Sequence, residues 1–327
     1  MVYWSCNSIL FTLKTKMTMK TSKRKLMFFV VALATAGIFT ACSKDEDDPI
    51  MESKDIVETA SADAQFSTLV SAIGKAGLAT TLQGAGPFTV FAPTNDAFNA
   101  LFAQLGVSGI DDLSADVLRP ILLNHVISGN VKSSDIQTGY APTVNNSGPN
   151  QNFVKVFIQK GSTVMVDGST VTAADVMASN GTIHVIDKVI LPSSVVGHAI
   201  NNSNFSILVE AVVKAGLVNA LSAAGPFTVF APTNQAFTDL FNTLGVSGIA
   251  DLTAEQLTPI LLYHVVSGNV VASQVSSGNV PTLKEGSSIS IEATGTGVKI
   301  NGSSTVIATD VQGTNGVIHA IDAVLLP

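Results

Sequence analysis

The ten-residue string GPFTVFAPTN occurs twice without a change, at positions 86–95 and again at 225–234. An identity of that length, 139 residues apart in a chain of 327, means that one fold is built twice. A period so long is a domain duplication and not a solenoid. Within each copy the string reads as a buried strand feeding a helix. Phe88, Val90 and Ala92 share one face and Thr89 and Phe91 the other, and Pro93 then removes a ladder donor. Thr94 or Asn95 can offer an oxygen to the orphan amides of the following helix, and Asp96 falls in its positive first turn. Phe98, Leu101, Phe102 and Leu105 follow at helical spacing, as do Phe237, Leu240, Phe241 and Leu244.

The rest of each copy is read outward from this unit. A helix precedes it, with Phe66, Leu69, Val70 and Ile73 on one stripe in the first copy and Phe205, Leu208, Val209 and Val212 in the second. After it, Ser114 caps a second helical stretch in copy one, and Thr253 with Gln256 forms a capping box in copy two. Pro120 and Pro259 lie inside that stretch, which predicts two short helices with proline opening the second. Asn124-His125 and Tyr263-His264 come next, then short β-rich segments, then Asn180-Gly181 and Asn315-Gly316, a hairpin turn by type, each followed by a strand. Copy two is shorter by four residues between its His264 stretch and this hairpin, and the Gly/Pro/Asn-rich loop 138–152 is the expected place for the surplus.

The first residues have a different character. An apolar run at 26–41 follows Lys20, Lys23, Arg24 and Lys25, the layout of an export signal. Phe39-Thr40-Ala41-Cys42 ends it. That sequence resembles the lipobox of bacterial lipoproteins, in which Cys42 is acylated and becomes the first mature residue. The plainer alternative is a cysteine that merely follows a signal peptide. Cys6 is the one other cysteine and lies in the segment to be removed, so the mature chain is expected to lack disulfides. Maturation at Cys42 leaves 11 Lys and Arg against 24 Asp and Glu, a net of −13, which disfavours nucleic acid and anionic lipid as partners. The acidic stretch 43–58 is expected to be a solvated tether. The division is therefore a signal at 1–41, a tether at 42–53, domain one at 54–192 and domain two at 193–327.

TVFAPTNDAF at 89–98 together with NGTIHVIDKVILP at 180–192 resembles the two signature boxes of the fasciclin domain, and both recur in copy two as TVFAPTNQAF and NGVIHAIDAVLLP. The resemblance implies an α+β fold, two tandem domains, each a twisted sheet of about seven strands wedged against several short helices. It also implies cell adhesion or matrix contact, without a cofactor. Animal members carry contact motifs around a Tyr-His pair and an Asp-Ile pair. The matching positions here are Tyr263-His264, Asn124-His125, Asp175-Val176 and Asp310-Val311. Tyr263 is read in two ways, as a contact residue at a surface or as a ring packed across its own domain. The acidic run after Cys42 is similar to surface-export signals of Bacteroidetes lipoproteins. The expected place is thus the outer face of the outer membrane, with the periplasmic face as the alternative, and the expected partner an extracellular or cell-surface protein or glycan.

An enzymatic alternative, a hydrolase or polysaccharide-processing accessory of the envelope, is weaker. His184 and Asp187, or His319 and Asp322, are three apart on a strand and point to opposite faces. There is no GxSxG elbow and no HExxH pair. The four equivalent histidines, His125, His184, His264 and His319, are expected to be buried locks between helix ends and strands.

Overall fold

The computed structural model describes residues 53–295 and 297–327; Cys42, the apolar run and the acidic residues before position 53 lie outside them. Domain one comprises α1 (Ile56–Ser61), α2 (Ser67–Lys75), α3 (Ala79–Leu82), β1 (Phe88–Pro93), α4 (Asn95–Leu105), α5 (Ala115–Leu123), β2 (Val126–Ser128), β3 (Gly139–Pro142), β4 (Lys155–Lys160), β5 (Val164–Val166), β6 (Ser169–Ala178) and β7 (Gly181–Ile186). Domain two repeats the order with α6 (Val195–Asn201), α7 (Ser206–Lys214), α8 (Val218–Ser222), β8 (Phe227–Pro232), α9 (Asn234–Leu244), α10 (Ala254–Tyr263), β9 (Val265–Ser267), β10 (Gly278–Pro281), β11 (Ser288–Thr294), β12 (Gly297–Ile300), β13 (Ser304–Gly313) and β14 (Gly316–Ile321).

Each domain holds one seven-stranded sheet, ordered β2-β1-β7-β6-β5-β4-β3 in the first and β9-β8-β14-β13-β12-β11-β10 in the second. The repeated string supplies the second strand in each order. It runs parallel to the closing strand, Phe88 beside Gly181 and Phe227 beside Gly316, while the other pairings are antiparallel. Its two faces feed two cores, as the alternation requires. Val90 and Ala92 pack under the helices with Leu69, Ile73, Phe98 and Leu118, whereas Phe91 packs on the other side with Val156, Val166 and Ile186. Gly181 and Gly316 are fixed by the closeness of that parallel pair, because a Cβ there would stand 2.0 Å from Phe88 O and 2.2 Å from Phe227 O.

Three expectations are corrected. The hairpin before the closing strand is present, but Ala178 pairs with Gly181, so its turn is Ser179-Asn180, and the glycine serves the neighbouring strand instead. Pro120 and Pro259 lie within single helices, α5 and α10. The carbonyls they leave unpaired belong to Asp116 and Glu255 on the exposed side, where water can serve them. The acidic segment does not stay solvated through Glu58. Asp55 caps α1 in a capping box with Glu58, and Ile56 is buried. Of the two residues expected to cap α4, Thr94 does so through Ala97 N (3.3 Å), while Asn95 reaches back to α2, accepting from Thr68 N (3.0 Å) and donating to Ala64 O (2.9 Å).

The surplus of domain one lies where expected. Twelve residues separate β3 from β4, against six between β10 and β11. The longer loop has a task, since Gly148 lies so close to domain two that a Cβ on it would be 3.3 Å from Gln312 Cγ.

Candidate functional site

The histidines are locks, and their tautomers can be argued. His125 Nε2 accepts from Ile190 N (2.9 Å), so Nδ1 carries the proton that it donates to Ile121 O (2.8 Å). His264 does the same between Leu325 N and Ile260 O. Each joins the last turn of α5 or α10 to the chain after the closing strand. Burial lowers both imidazoles to about 4, with the accepting carbonyl opposing the shift. His184 Nε2 donates to Val131 O (2.9 Å) and Nδ1 accepts from Asp175 N (3.3 Å); His319 repeats this with Val270 O and Asp310 N. Asp187 is occupied elsewhere, accepting from Thr170 N at 2.7 Å, so no His-Asp pair forms. With both ring nitrogens of these four histidines bound to backbone, none is free to shuttle a proton.

Asp175 and Asp310 sit in the bulge of β6 and β13 with φ of 62°. Asp175 accepts from Ser133 N and from Ser133 Oγ, which holds its carboxyl below the usual range. Asp310 accepts from Ala272 N at 2.7 Å. The residues that follow differ between the copies. Val176 and Met177 are 37 % and 54 % exposed, whereas Val311 is 2 % exposed and Gln312 lies under domain one's long loop.

The remaining motif residues are interior. Asn124, His125, Tyr263 and His264 are all buried. Tyr263 thus follows the second of its two readings: its ring packs with Phe230, Ile289 and Ile300, and its hydroxyl donates to Ser288 O (3.0 Å) and accepts from Asn301 Nδ2 (3.0 Å). Asn124 cannot span that distance, and its amide has no hydrogen-bond partner among the described residues. Of the candidate contact residues, only Asp175, Val176 and Asp310 reach solvent.

Two features escaped the sequence reading. Asn180 is a three-way lock: Oδ1 accepts from Ile56 N (3.0 Å), and Nδ2 donates to Leu82 O (2.7 Å) and Gly84 O (2.9 Å). Asn315 repeats it with Val195 N, Leu221 O and Ala223 O. The signal was present in the Asn-Gly pair but reads as a turn. The second feature is the seam between the domains. Tyr140 of β3 stands edge-on to His198 of α6 (5.7 Å between centroids), and its hydroxyl accepts from Asn202 Nδ2 (3.1 Å). His198 is fully buried and donates from Nε2 to Gln312 O at 3.1 Å. Burial lowers its pKa to about 4 and pushes Tyr140 up to about 12. Asp167 lies at the same seam. Its Oδ1 accepts from Phe157 N (2.8 Å), while Asn201 approaches without a hydrogen bond of ordinary geometry and leaves Oδ2 unpartnered. Burial raises that carboxyl to about 7. The described residues contain no cluster of His, Cys, Asp and Glu able to hold a metal ion.

Comparison with known proteins agrees with the signature boxes. The family model described as "Fasciclin domain" matches residues 64–192 and 203–327. Protein sll1483 of Synechocystis is 48 % identical over 134 residues, covering 41 % of this chain and 73 % of that protein. Pig transforming growth factor-beta-induced protein ig-h3 is 31 % identical over 270 residues, and human periostin 28 % over 251. These matches take in 81 % and 75 % of this chain but span 37 % and 29 % of those longer proteins. Among solved structures, the FAS1 domain pair of the insect cell adhesion molecule Fasciclin I aligns with a TM-score of 0.46 at 23 % identity, covering 83 % of this chain and 96 % of that one.

Proposed function

The chain belongs to the fasciclin-domain family, and on that premise we propose that it is an adhesion or interaction module held at the cell envelope by a lipid on Cys42. Its partner is an extracellular or cell-surface protein or glycan. The observation that carries the reading is the inequality of the two equivalent bulges. Domain one exposes Val176 and Met177, on alternate sides of β6 next to the fixed Asp175 carboxylate, while domain two buries the matching Val311. A side chain held exposed beside a rigid anion is suited to contact, and methionine is among the residues enriched at interfaces. The contact therefore belongs to domain one and not to the neighbourhood of Tyr263, which is interior.

The anchor fits the same picture. No helix among the described residues is long and apolar enough to cross a membrane. The several acyl chains of a bacterial lipoprotein hold a bilayer where a single one does so only marginally. The proposed location is the outer membrane, on the surface-exposed face. The hydrolase alternative gains nothing from the geometry, since the equivalent histidines are spent on backbone.

The test is binding of the full chain to arrays of matrix proteins and glycans, and to whole cells, before and after Val176→Ser with Met177→Ser. Loss of binding at an unchanged melting temperature is expected; retained binding overturns the assignment to this face. Cys42→Ala should move the protein from the membrane fraction to the soluble one.

A further inference from the structure

Between α6, α7 and α8 and the strands β8 and β14 lies a cavity of ≈ 120 Å³. Its lining is carbon throughout apart from His264, and both nitrogens of that ring are already taken by Ile260 O and Leu325 N. The space opens between α6 and α7, where Ile200 and Val213 form a lip that is 61 % and 60 % exposed.

The duplication supplies an internal reference. The positions 139 residues earlier are Ile56 and Ile73 for the inner Val195 and Val212, and Ser61 and Gly74 for the lip residues Ile200 and Val213. Domain two therefore has one methylene fewer at two inner positions and more aliphatic surface at the two lip positions and at the half-buried Val218, where domain one has Ala79. A void lined by carbon does not hold water, so the interior stays dry and costs stability while empty. The lip costs solvation as well. A guest that enters past the lip relieves both, and neither change alone gives a site.

We propose that this cavity binds the end of an alkyl chain, with the polar head left in solvent beyond Ile200 and Val213. The lining has no donor or acceptor to receive a polar group, which excludes a guest with its head inside. The size agrees: an apolar cavity of about 150 Å³ accepts benzene, so this one holds a few carbons, the tip of a chain and not its whole length. The lip then covers the next methylenes. The site lies in domain two and is independent of the contact face assigned to domain one.

The experiment is a titration of the full chain, in detergent-free buffer, with 1-alkanols from butanol to octanol, followed by calorimetry and by ¹³C-methyl NMR. One saturable site is expected, with affinity rising about fourfold per methylene until the space is filled. Shifts should centre on Val195, Val212 and Ile318. The double substitution Val195→Ile with Val212→Ile, which installs the residues of domain one, should melt no lower than the parent and bind octanol at least tenfold more weakly. Binding that never saturates, shifts that map elsewhere, or a double variant that binds as tightly as the parent each overturn the proposal. If the double variant does not fold, Ile200→Ser decides, since it leaves the core intact. A loss of threefold or more for octanol is expected there, and unchanged octanol affinity sinks the idea.

Discussion

Each described domain contains one tyrosine near the same end of its sheet, and the two are used in opposite ways. In domain two, Tyr263 turns inward and its hydroxyl closes a network with Ser288 O and Asn301. In domain one, Tyr140 turns outward onto α6 of its neighbour. The residues behind them are matched. Asn301 and Asp167 both have positive φ, and both hold the backbone of the strand beside them, at Ser290 and Phe157. Asn301 has an amide to give to Tyr263, whereas the second oxygen of Asp167 has no partner, and Asn124 does not reach it. The difference teaches that the second copy seals its own end, while the first leaves polar atoms whose shelter is the adjoining domain. A duplicated fold keeps its frame and diverges at the point where the copies meet.

Four experiments sharpen or break that contrast. Tyr263→Ala should cost domain two about 5 kcal/mol, combining a lost buried ring with orphaned partners, and urea melts resolved by NMR should show domain one unaffected. If both domains lose stability equally, the claim of self-sealing fails.

Acid should also separate the copies. The folded pKa of His264 and His198 is about 4, below the unfolded value near 6.5, so their contribution is complete above pH 6.5 and is lost as pH falls toward 4. At pH 5 that amounts to about 4 kcal/mol for the pair in domain two. His125 acts the same way in domain one, but Asp167, with its folded pKa raised to about 7, acts in reverse. Its penalty is complete above pH 7 and relieved as pH falls toward its unfolded value. Domain one should therefore change by less than about 1 kcal/mol at pH 5. Equal acid sensitivity in residue-resolved denaturation would contradict the opposition of His125 and Asp167.

Asp167→Asn tests that opposition directly. It copies Asn301, and a gain of about 4 kcal/mol at pH 8 that all but vanishes near pH 4 is expected. A gain that is independent of pH would mean that the carboxyl is not held above its ordinary range. The smallest effect is Tyr263→Phe, which keeps the ring and removes the hydroxyl between Ser288 O and Asn301; about 1 kcal/mol should be lost, from domain two alone.

What could be read in advance follows from how local each signal is. The central strand, its helix and the closing hairpin announce themselves through alternation, helical spacing and turn chemistry within a few residues of chain. α3, with four residues, and β2, with three, are too short to carry a period. Asn180 reads as a turn residue because its partners, Leu82 O and Ile56 N, lie 98 and 124 positions away. The contact motifs do not say which of their members face outward. That depends on the bulge at Asp175 and on what domain one's long loop covers, and neither is a property of the residues beside it in sequence.

The parallel pairing of the repeated string with the closing strand has a consequence for the order in which this chain can be made. Phe88 must wait for Gly181, and Phe227 for Gly316, about ninety residues of loop in each case. Such a closure costs chain entropy before it returns any contact, and proteins dominated by distant pairings fold slowly. Neither domain can complete its sheet until its last dozen residues have emerged. Synthesis therefore delivers each domain as an open chain almost to its end, a form that can be threaded through a narrow pore, and the C-terminal segment of each copy acts as the clasp that ends that freedom.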